Sequence, residues 1–85
     1  MNIYVGNLDY KVNEDDLKKI FEEYGTVSSA KIIIDKYNGR SKGFGFIEMD
    51  DETEAQNAIK ELNGAALESR DIVVNEAKPK REFNN

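Results

Sequence analysis

The stretch Lys-Gly-Phe-Gly-Phe-Ile-Glu-Met that begins at Lys42 predicts a β-strand with two different faces. Successive side chains of a strand point to opposite sides, so Lys42, Phe44 and Phe46 share one side of the sheet. Ile47 and Met49 share the other side, and their apolar character assigns that side to the core. The stretch therefore predicts a sheet that displays two phenylalanines and a lysine to solvent.

Exposed aromatic rings beside a cation suit a single-stranded nucleic acid, because bases stack on flat rings and a positive charge pairs with phosphate. The alternative is that these rings only cover the sheet, or that the C-terminal tail shields them. Exposed rings that cluster on one face favour the binding interpretation.

The same stretch resembles the octamer signature of the RNA recognition motif, which reads Lys/Arg-Gly-aromatic-Gly/Ala-aromatic-Val-x-aromatic. Ile47 replaces the valine, and Met49 departs from the aromatic at the last position. That departure falls on the buried face, where methionine fills core space. The stretch from Ile3 to Leu8 fits the second signature of the family, aliphatic-aromatic-aliphatic-x-x-Leu. Two signatures in this order are far more specific than either one alone.

The resemblance implies a role for individual residues. Tyr4 corresponds to the aromatic that stacks one base, and Phe46 corresponds to the aromatic that stacks a second base. Phe44 corresponds to the ring that packs against sugars between two nucleotides. Lys42 corresponds to the cation that reaches a backbone phosphate.

Further RNA-binding candidates come from the other strands, the loop and the tail. Lys31 faces the same side as the rings under the simplest register, although a bulge near residues 28–29 would shift it. Asn75 alternates outward on the last strand, where its amide can hydrogen-bond a base edge. Arg40 is expected to clamp the RNA backbone, and Lys78 to fold over the RNA. A plain surface residue is the alternative for Asn75 and Arg40, and a disordered tail for Lys78.

Two glycines of the signature strand are expected to be structural. Gly43 and Gly45 superficially resemble a phosphate-binding loop, but no Gly-Lys-Ser/Thr follows them and no helix opens at their spacing. We therefore expect Gly45 to let the second helix approach the strand closely.

Local patterns predict the remaining elements. Residues 2–6 alternate as a first strand. Asn13 offers an N-cap, and apolar residues at helical spacing predict a helix over about 14–24 that Gly25 ends. Residues 27–34 are rich in β-forming residues and predict a second strand.

A second helix begins at Asp51 or Glu52 and ends at Asn63 and Gly64, and residues 70–76 predict the last strand. The order is β-α-β-β-α-β. This is the α+β, split βαβ (ferredoxin-like) sandwich, with a four-stranded antiparallel sheet and two helices on one of its faces. We expect residues 1–79 to form the RNA recognition motif domain and residues 80–85 to form a short polar tail.

Composition narrows the classes of function. A chain of 85 residues supports one small domain, and it has no cysteine and no histidine. Disulfides, most zinc sites and histidine acid/base catalysis are therefore excluded, and we expect no metal and no cofactor. No apolar run approaches the roughly 20 residues of a spanning helix. We expect a soluble cytoplasmic monomer without membrane contact.

The net charge of −5 is unlike the basic surface that usually binds nucleic acid. The acidic residues concentrate in or near the two predicted helices: Asp15, Asp16, Glu22, Glu23, Asp50, Asp51, Glu52, Glu54 and Glu61. The basic residues fall in strands, the central loop and the tail: Lys31, Lys36, Arg40, Lys42, Lys78, Lys80 and Arg81. Helices behind the sheet would thus place acidic charge behind and basic charge in front. Glu48 is the exception, since it shares the face of the rings.

The leading hypothesis is a non-catalytic binder of single-stranded RNA, acting in post-transcriptional regulation or as an RNA chaperone, with single-stranded DNA as a second possible ligand. The chain is most similar to small bacterial members of the family that consist of one motif. The alternative is a protein interaction module of the same fold. An acylphosphatase-like enzyme is a third hypothesis, but the loop after the first strand lacks the arginine that such a site needs.

Overall fold

The computed structural model describes residues 1–39 and 41–77, and of residues 41 and 42 it describes the backbone alone. The elements follow in this order: β1 (Asn2–Gly6), α1 (Glu14–Glu22), β2 (Ser29–Ile34), β3 (Ser41–Glu48), α2 (Glu52–Leu62), β4 (Ala66–Leu67), β5 (Arg70–Asp71) and β6 (Val73–Ala77). The main sheet has four strands in the order β2-β3-β1-β6, and every neighbouring pair is antiparallel. The predicted α+β architecture is confirmed, with the short hairpin β4/β5 added before the last strand.

The core lies between one face of this sheet and the two helices. Alternate residues of the strands are fully buried, among them Ile3, Ile47 and Val74. Phe21 of α1 and Ala58 of α2 are fully buried against them. The apolar sides of the strands and of the helices thus form one core layer. Within residues 1–39 and 41–77, no helix lies over the other face of the sheet.

Side-chain caps fix where both helices begin. The Asn13 side chain accepts a hydrogen bond from the Asp16 N–H at 2.8 Å, and the Asp16 carboxylate accepts one from the Asn13 N–H at 3.3 Å. Asp51 caps α2 by accepting from the Glu54 N–H at 2.9 Å. Both arrangements satisfy N–H groups that the first turn of a helix leaves without a partner.

The predicted end of the first helix is wrong. α1 ends at Glu22, and its C-cap is Glu23 with φ −68°, so Gly25 is not the residue that ends it. The side chain of Glu54 lies directly against Gly25, and it accepts a hydrogen bond from the Thr26 N–H at 3.2 Å. Gly25 is therefore small because α2 passes close to it. The predicted end of α2 is confirmed, since Gly64 follows it with φ +87°.

The prediction for Gly45 is also wrong about its neighbour. The nearest atoms to an added Cβ at Gly45 belong to β2 rather than to α2: the Lys31 carbonyl oxygen and, at 3.1 Å, the Ile32 Cα. The irregularity of this strand pair lies between Ile32 and Ile34, not near residues 28–29. Gly45 thus permits the close approach of two strands.

The last strand differs from the prediction of one continuous strand over residues 70–76. Residues 70–71 pair instead with β4 in a two-stranded hairpin, and β6 begins at Val73. Between them, Ile72 donates its N–H to the Ala65 carbonyl at 2.9 Å and accepts from the Gly64 N–H at 2.8 Å. Ile72 therefore ties the hairpin to the end of α2 before the chain enters the sheet.

No helix within residues 1–39 and 41–77 is long and apolar enough to cross a membrane.

We expect Gly45→Ala to lower the free energy of unfolding by about 1–3 kcal/mol, because the new methyl group meets the backbone of β2. Urea denaturation measures this loss. Amide hydrogen exchange should show reduced protection in β2 and unchanged protection in β6. An unchanged urea midpoint together with full protection in β2 would contradict this expectation. It would show that β2 and β3 accommodate the methyl group without a loss of stability.

Candidate nucleic-acid interface

The strand register assembles a row of four side chains across the open face of the sheet. Phe46 lies opposite Tyr4 on one side and opposite Lys31 on the other, and Tyr4 lies opposite Asn75. Each residue comes from a different strand. Directly opposed residues of antiparallel strands point to the same face, so this row places two aromatic rings between an ammonium group and an amide.

Phe44 completes a triangle of rings with this pair. The ring centroids of Tyr4 and Phe44 are 6.0 Å apart, those of Tyr4 and Phe46 are 5.9 Å apart, and those of Phe44 and Phe46 are 6.1 Å apart. The planes of Tyr4 and Phe46 are inclined by 64°, and those of Phe44 and Phe46 by 87°. These separations are typical of tilted and edge-to-face pairs, so each ring supports the others.

Gly6 lets the ring of Tyr4 lie down on the sheet. A Cβ at Gly6 would meet the Tyr4 ring, including two ring carbons at 2.8 Å. Gly6 is itself buried beneath that ring, whereas Tyr4 is only partly buried. A side chain at position 6 would therefore displace the ring, which connects this glycine of the first signature to the shape of the surface.

The aromatic surface continues with one aliphatic side chain that the residue patterns did not single out. Val73 lies opposite Gly6 and is 41% exposed, although a β-branched side chain of this size is usually buried. The outward alternation of β6 could have identified it, because its neighbours Ile72 and Val74 are assigned to the core.

One end of the sheet face is acidic. Glu48 lies opposite Asn2 and Ser29 in the row next to Phe46. Four carboxylates line a single depression at this edge of the sheet, with Glu48 on the face of the rings and Asp50, Glu52 and Glu76 beside it. A phosphate backbone that ran over this end would meet repulsion.

The opposite end of the face is walled by the loop after β1 and by the β4/β5 hairpin. The Arg70 guanidinium donates a hydrogen bond to the Asn7 Oδ1 at 3.0 Å, and the Ser69 hydroxyl donates one to the Asp9 carboxylate at 2.7 Å. The Lys11 N–H also donates to Asp9, at 2.9 Å. No residue of this wall was among the sequence-based candidates, since the loop and the hairpin are far apart in sequence.

These contacts lower the pKa of Asp9 below its ordinary value. The largest cause is the hydrogen bond from the Lys11 N–H, followed by the hydrogen bond from the Ser69 hydroxyl. Desolvation acts in the opposite direction, and the charges of Lys11 and Arg70 add smaller lowering effects. Asp9 is therefore ionised at neutral pH and remains a hydrogen-bond acceptor.

The structure brings together five of the eight candidates for RNA contact. Tyr4, Phe44, Phe46, Lys31 and Asn75 share the open face. Two of the others, Arg40 and Lys78, lie outside the described residues, as does the tail at 80–85. Lys42 belongs to β3 by its backbone, and its contact with phosphate stays a prediction. In residues 1–39 and 41–77, no cluster of acidic side chains is arranged to hold a metal ion.

A comparison of the sequence with models of known protein families identifies the family of this chain. The model of the RNA recognition motif matches residues 3–73. The chain belongs to this family. The match begins in β1 and ends at Val73, the first residue of β6, so it includes both signatures and three of the four residues of the row.

Relatives of the RNA recognition motif family resemble the chain over most of its length. RbpA of Nostoc sp., a protein named for RNA binding, is 48% identical over 82 residues, which cover 96% of this chain and 80% of that protein. The crystal structure of RNA binding protein PG1 has a TM-score of 0.90 and 50% identity, and covers 96% of this chain and 99% of its own. The Rna15 RRM with bound RNA (GU) has a TM-score of 0.82 and 31% identity, over 92% of this chain and 83% of its own. The predicted likeness to small bacterial members is confirmed.

Asp9 should make stability depend on pH below about pH 4. A carboxylate whose pKa is lower in the folded state stabilises the fold above its unfolded pKa of about 3.9, and this contribution disappears as the pH falls through the folded value. We expect the wild-type protein to lose more stability than Asp9→Asn between neutral pH and acid. Urea midpoints across this range measure the difference.

Glu68→Gln, which removes another carboxylate from the same hairpin, is the matched control and should follow the wild-type curve. Parallel curves for the wild type and Asp9→Asn would contradict the assigned hydrogen bonds.

Proposed function

We propose that the protein binds single-stranded RNA, without catalysis, across the open face of the sheet. The observation that carries this proposal is the triangle of Tyr4, Phe44 and Phe46, which lies on the face away from the helices and within one row of Lys31 and Asn75. Flat rings supply stacking for bases, and the flanking amide and ammonium groups supply polar contacts. The names of the relatives and the RNA-bound neighbour support the same ligand.

The tilt of the rings favours an open strand over a duplex. Bases that stack on Tyr4 and on Phe46 adopt the planes of those rings, which are inclined by 64°. Two bases held at this angle cannot stack on each other as they do in a helix. The ligand must therefore be a strand whose bases are splayed apart, and Phe44 then faces the sugars between them.

The distribution of charge is compatible with RNA despite the net charge of −5. Lys31 lies on the face itself, opposite Phe46, while both helices and most of their exposed carboxylates lie on the other side of the sheet, with Glu52 at its edge. We further propose that Arg40, Lys42 and Lys78 add contacts to the RNA backbone. Stacking then supplies most of the affinity, and the cations position the strand.

We also propose a wider biological setting for this activity. A monomeric domain of residues 1–79 would act on cytoplasmic RNA in post-transcriptional regulation or as a chaperone of RNA structure. Single-stranded DNA would stack on the same rings, but its sugars have no 2′-hydroxyl to offer the protein.

Removing either stacking ring should weaken RNA binding. We expect Tyr4→Ala and Phe46→Ala each to lose about 1–3 kcal/mol of binding free energy, the usual contribution of one stacked base. Folding should survive, because neither ring is part of the buried core. Fluorescence anisotropy with a labelled pool of short single-stranded RNAs measures the affinity, and circular dichroism verifies the fold.

Tyr24→Leu is the matched control, since it removes a ring that packs against the core from the helical side. Its affinity should equal that of the wild type. Equal affinity of the wild type and the Tyr4→Ala/Phe46→Ala double variant would reject RNA binding on this face, and would leave the protein interaction module as the better hypothesis.

Glu48 should oppose RNA binding more than the acids of the helices do. Glu48 lies one row from Phe46, within the screening length of about 8 Å at physiological salt. We expect Glu48→Gln to strengthen binding by a few tenths to about 1 kcal/mol. The double variant Glu23→Gln/Glu61→Gln alters two exposed residues of the helical layer behind the sheet, and should change affinity less. Titrations at fixed ionic strength compare them, and a larger gain from the helix variant would place the RNA elsewhere.

A further inference from the structure

A cleft extends the aromatic surface beyond Phe44. It lies between the loop after β1 and the β4/β5 hairpin, has a volume of about 670 Å³, and is lined by Tyr4 and Phe44 on one side and by Asp9, Ser69 and Arg70 on the other. Sites for small ligands usually measure roughly 300–1,000 Å³. The cleft is therefore large enough for one nucleotide, and it is continuous with the rings proposed to stack RNA.

Hydrogen bonds hold Arg70, the cationic residue of this cleft, in place. Asn7 accepts from the Arg70 guanidinium at 3.0 Å through its Oδ1, and donates from its Nδ2 to the Asp71 carbonyl at 2.8 Å. Asn7 has φ +56°, a conformation that asparagine tolerates better than most residues. A guanidinium has five N–H donors, so Arg70 keeps donors for a ligand after the bond to Asn7.

Hydrogen bonds also hold Asp9, the acidic residue of this cleft, in place. One oxygen of the Asp9 carboxylate accepts from the Lys11 N–H, and the other accepts from the Ser69 hydroxyl. A carboxylate has about four acceptor sites, so two remain for a ligand. The cleft thus presents fixed acceptors and fixed donors next to an aromatic ring.

This mixture of charges favours a base over a phosphate. The Asp9 carboxylate would repel a phosphate group, whereas it would accept hydrogen bonds from the N–H groups of a base. The four carboxylates at the other end of the sheet oppose a strand there, so the RNA is directed towards this cleft. The acidic end and the cleft end of the face therefore both favour RNA that runs towards the cleft.

We propose that this cleft is a further nucleotide subsite that takes guanine, with the Asp9 carboxylate accepting from N1–H and the 2-amino group and the Arg70 guanidinium donating to O6. The proposal rests on RNA binding by the neighbouring rings. Asn7 and Ser69 are positioning residues, because they hold Arg70 and Asp9 and have no assigned contact with the base.

Guanine fits the pair of Asp9 and Arg70 better than the other bases do. Its Watson–Crick edge has two adjacent donors followed by one acceptor. Adenine, cytosine and uracil each present a single donor group on that edge, so the carboxylate would gain one hydrogen bond instead of two. Arginine is also a frequent partner of the guanine O6 in nucleic-acid recognition.

The test compares a short oligouridine with oligomers in which guanosine, inosine or adenosine replaces one uridine at each position in turn. Inosine lacks only the 2-amino group. For the wild-type protein we expect guanosine at one position to raise affinity about tenfold over adenosine, with inosine between them. Asp9→Asn should reduce this preference to about twofold or less, and leave the affinity for oligouridine within about twofold of the wild type.

Glu68→Gln changes a carboxylate of the same hairpin and is the control; it should keep the full guanosine preference. Tight oligouridine binding without a guanosine preference would overturn the subsite and leave RNA binding intact. A guanosine preference that survives Asp9→Asn would place base recognition elsewhere. An equal loss of affinity for all oligomers in Asp9→Asn would show that Asp9 only stabilises the structure of the loop and the hairpin. Failure of the wild type to bind any oligomer would reject both proposals.

Discussion

The antiparallel register between β1 and β3 is the constraint on which the binding face depends. Tyr4 lies opposite Phe46, and Ile3 lies opposite Ile47, so the same pairing places two rings on one face and two fully buried aliphatic residues on the other. A slip of one residue would bury the rings and expose the core, because side chains alternate with a period of two. Packing of the helices against the sheet therefore also fixes the positions of Tyr4, Phe44 and Phe46.

It follows that the surface is shaped before any RNA arrives. The ring of Tyr4 rests on Gly6, and β2 approaches β3 closely at Gly45, so both glycines hold atoms of the face in position through backbone geometry. Pre-positioned rings lose little rotamer freedom on binding, which preserves more of the stacking energy as affinity. Substitution of either glycine would alter the face through the geometry of the sheet itself.

The sequence predicted the features that repeat at regular spacing. Alternation located the strands and the ring face, and the Asn13 cap located the start of the first helix. It did not predict the neighbour of Gly45, because the need for a glycine does not reveal which element lies against it. It also missed the wall of Asp9 and Arg70: the contacts that hold these residues join positions 60 or more apart in the chain, Ser69 with Asp9 and Arg70 with Asn7. Such contacts depend on the fold and leave no local pattern.

The positions of the charges matter more for RNA binding than the net negative charge of the chain. Most electrostatic binding of nucleic acid comes from released counterions, which requires many cations along the strand. Here Lys31 stands beside three rings, and the carboxylates near Glu48 close one end of the face. Under the proposed function, such a surface draws more of its affinity from the bases than from the phosphate charge, since stacking and edge contacts depend less on net charge. The acidic background then weakens non-specific attraction to RNA more than it weakens recognition of exposed bases, so it favours selectivity at the cost of overall affinity.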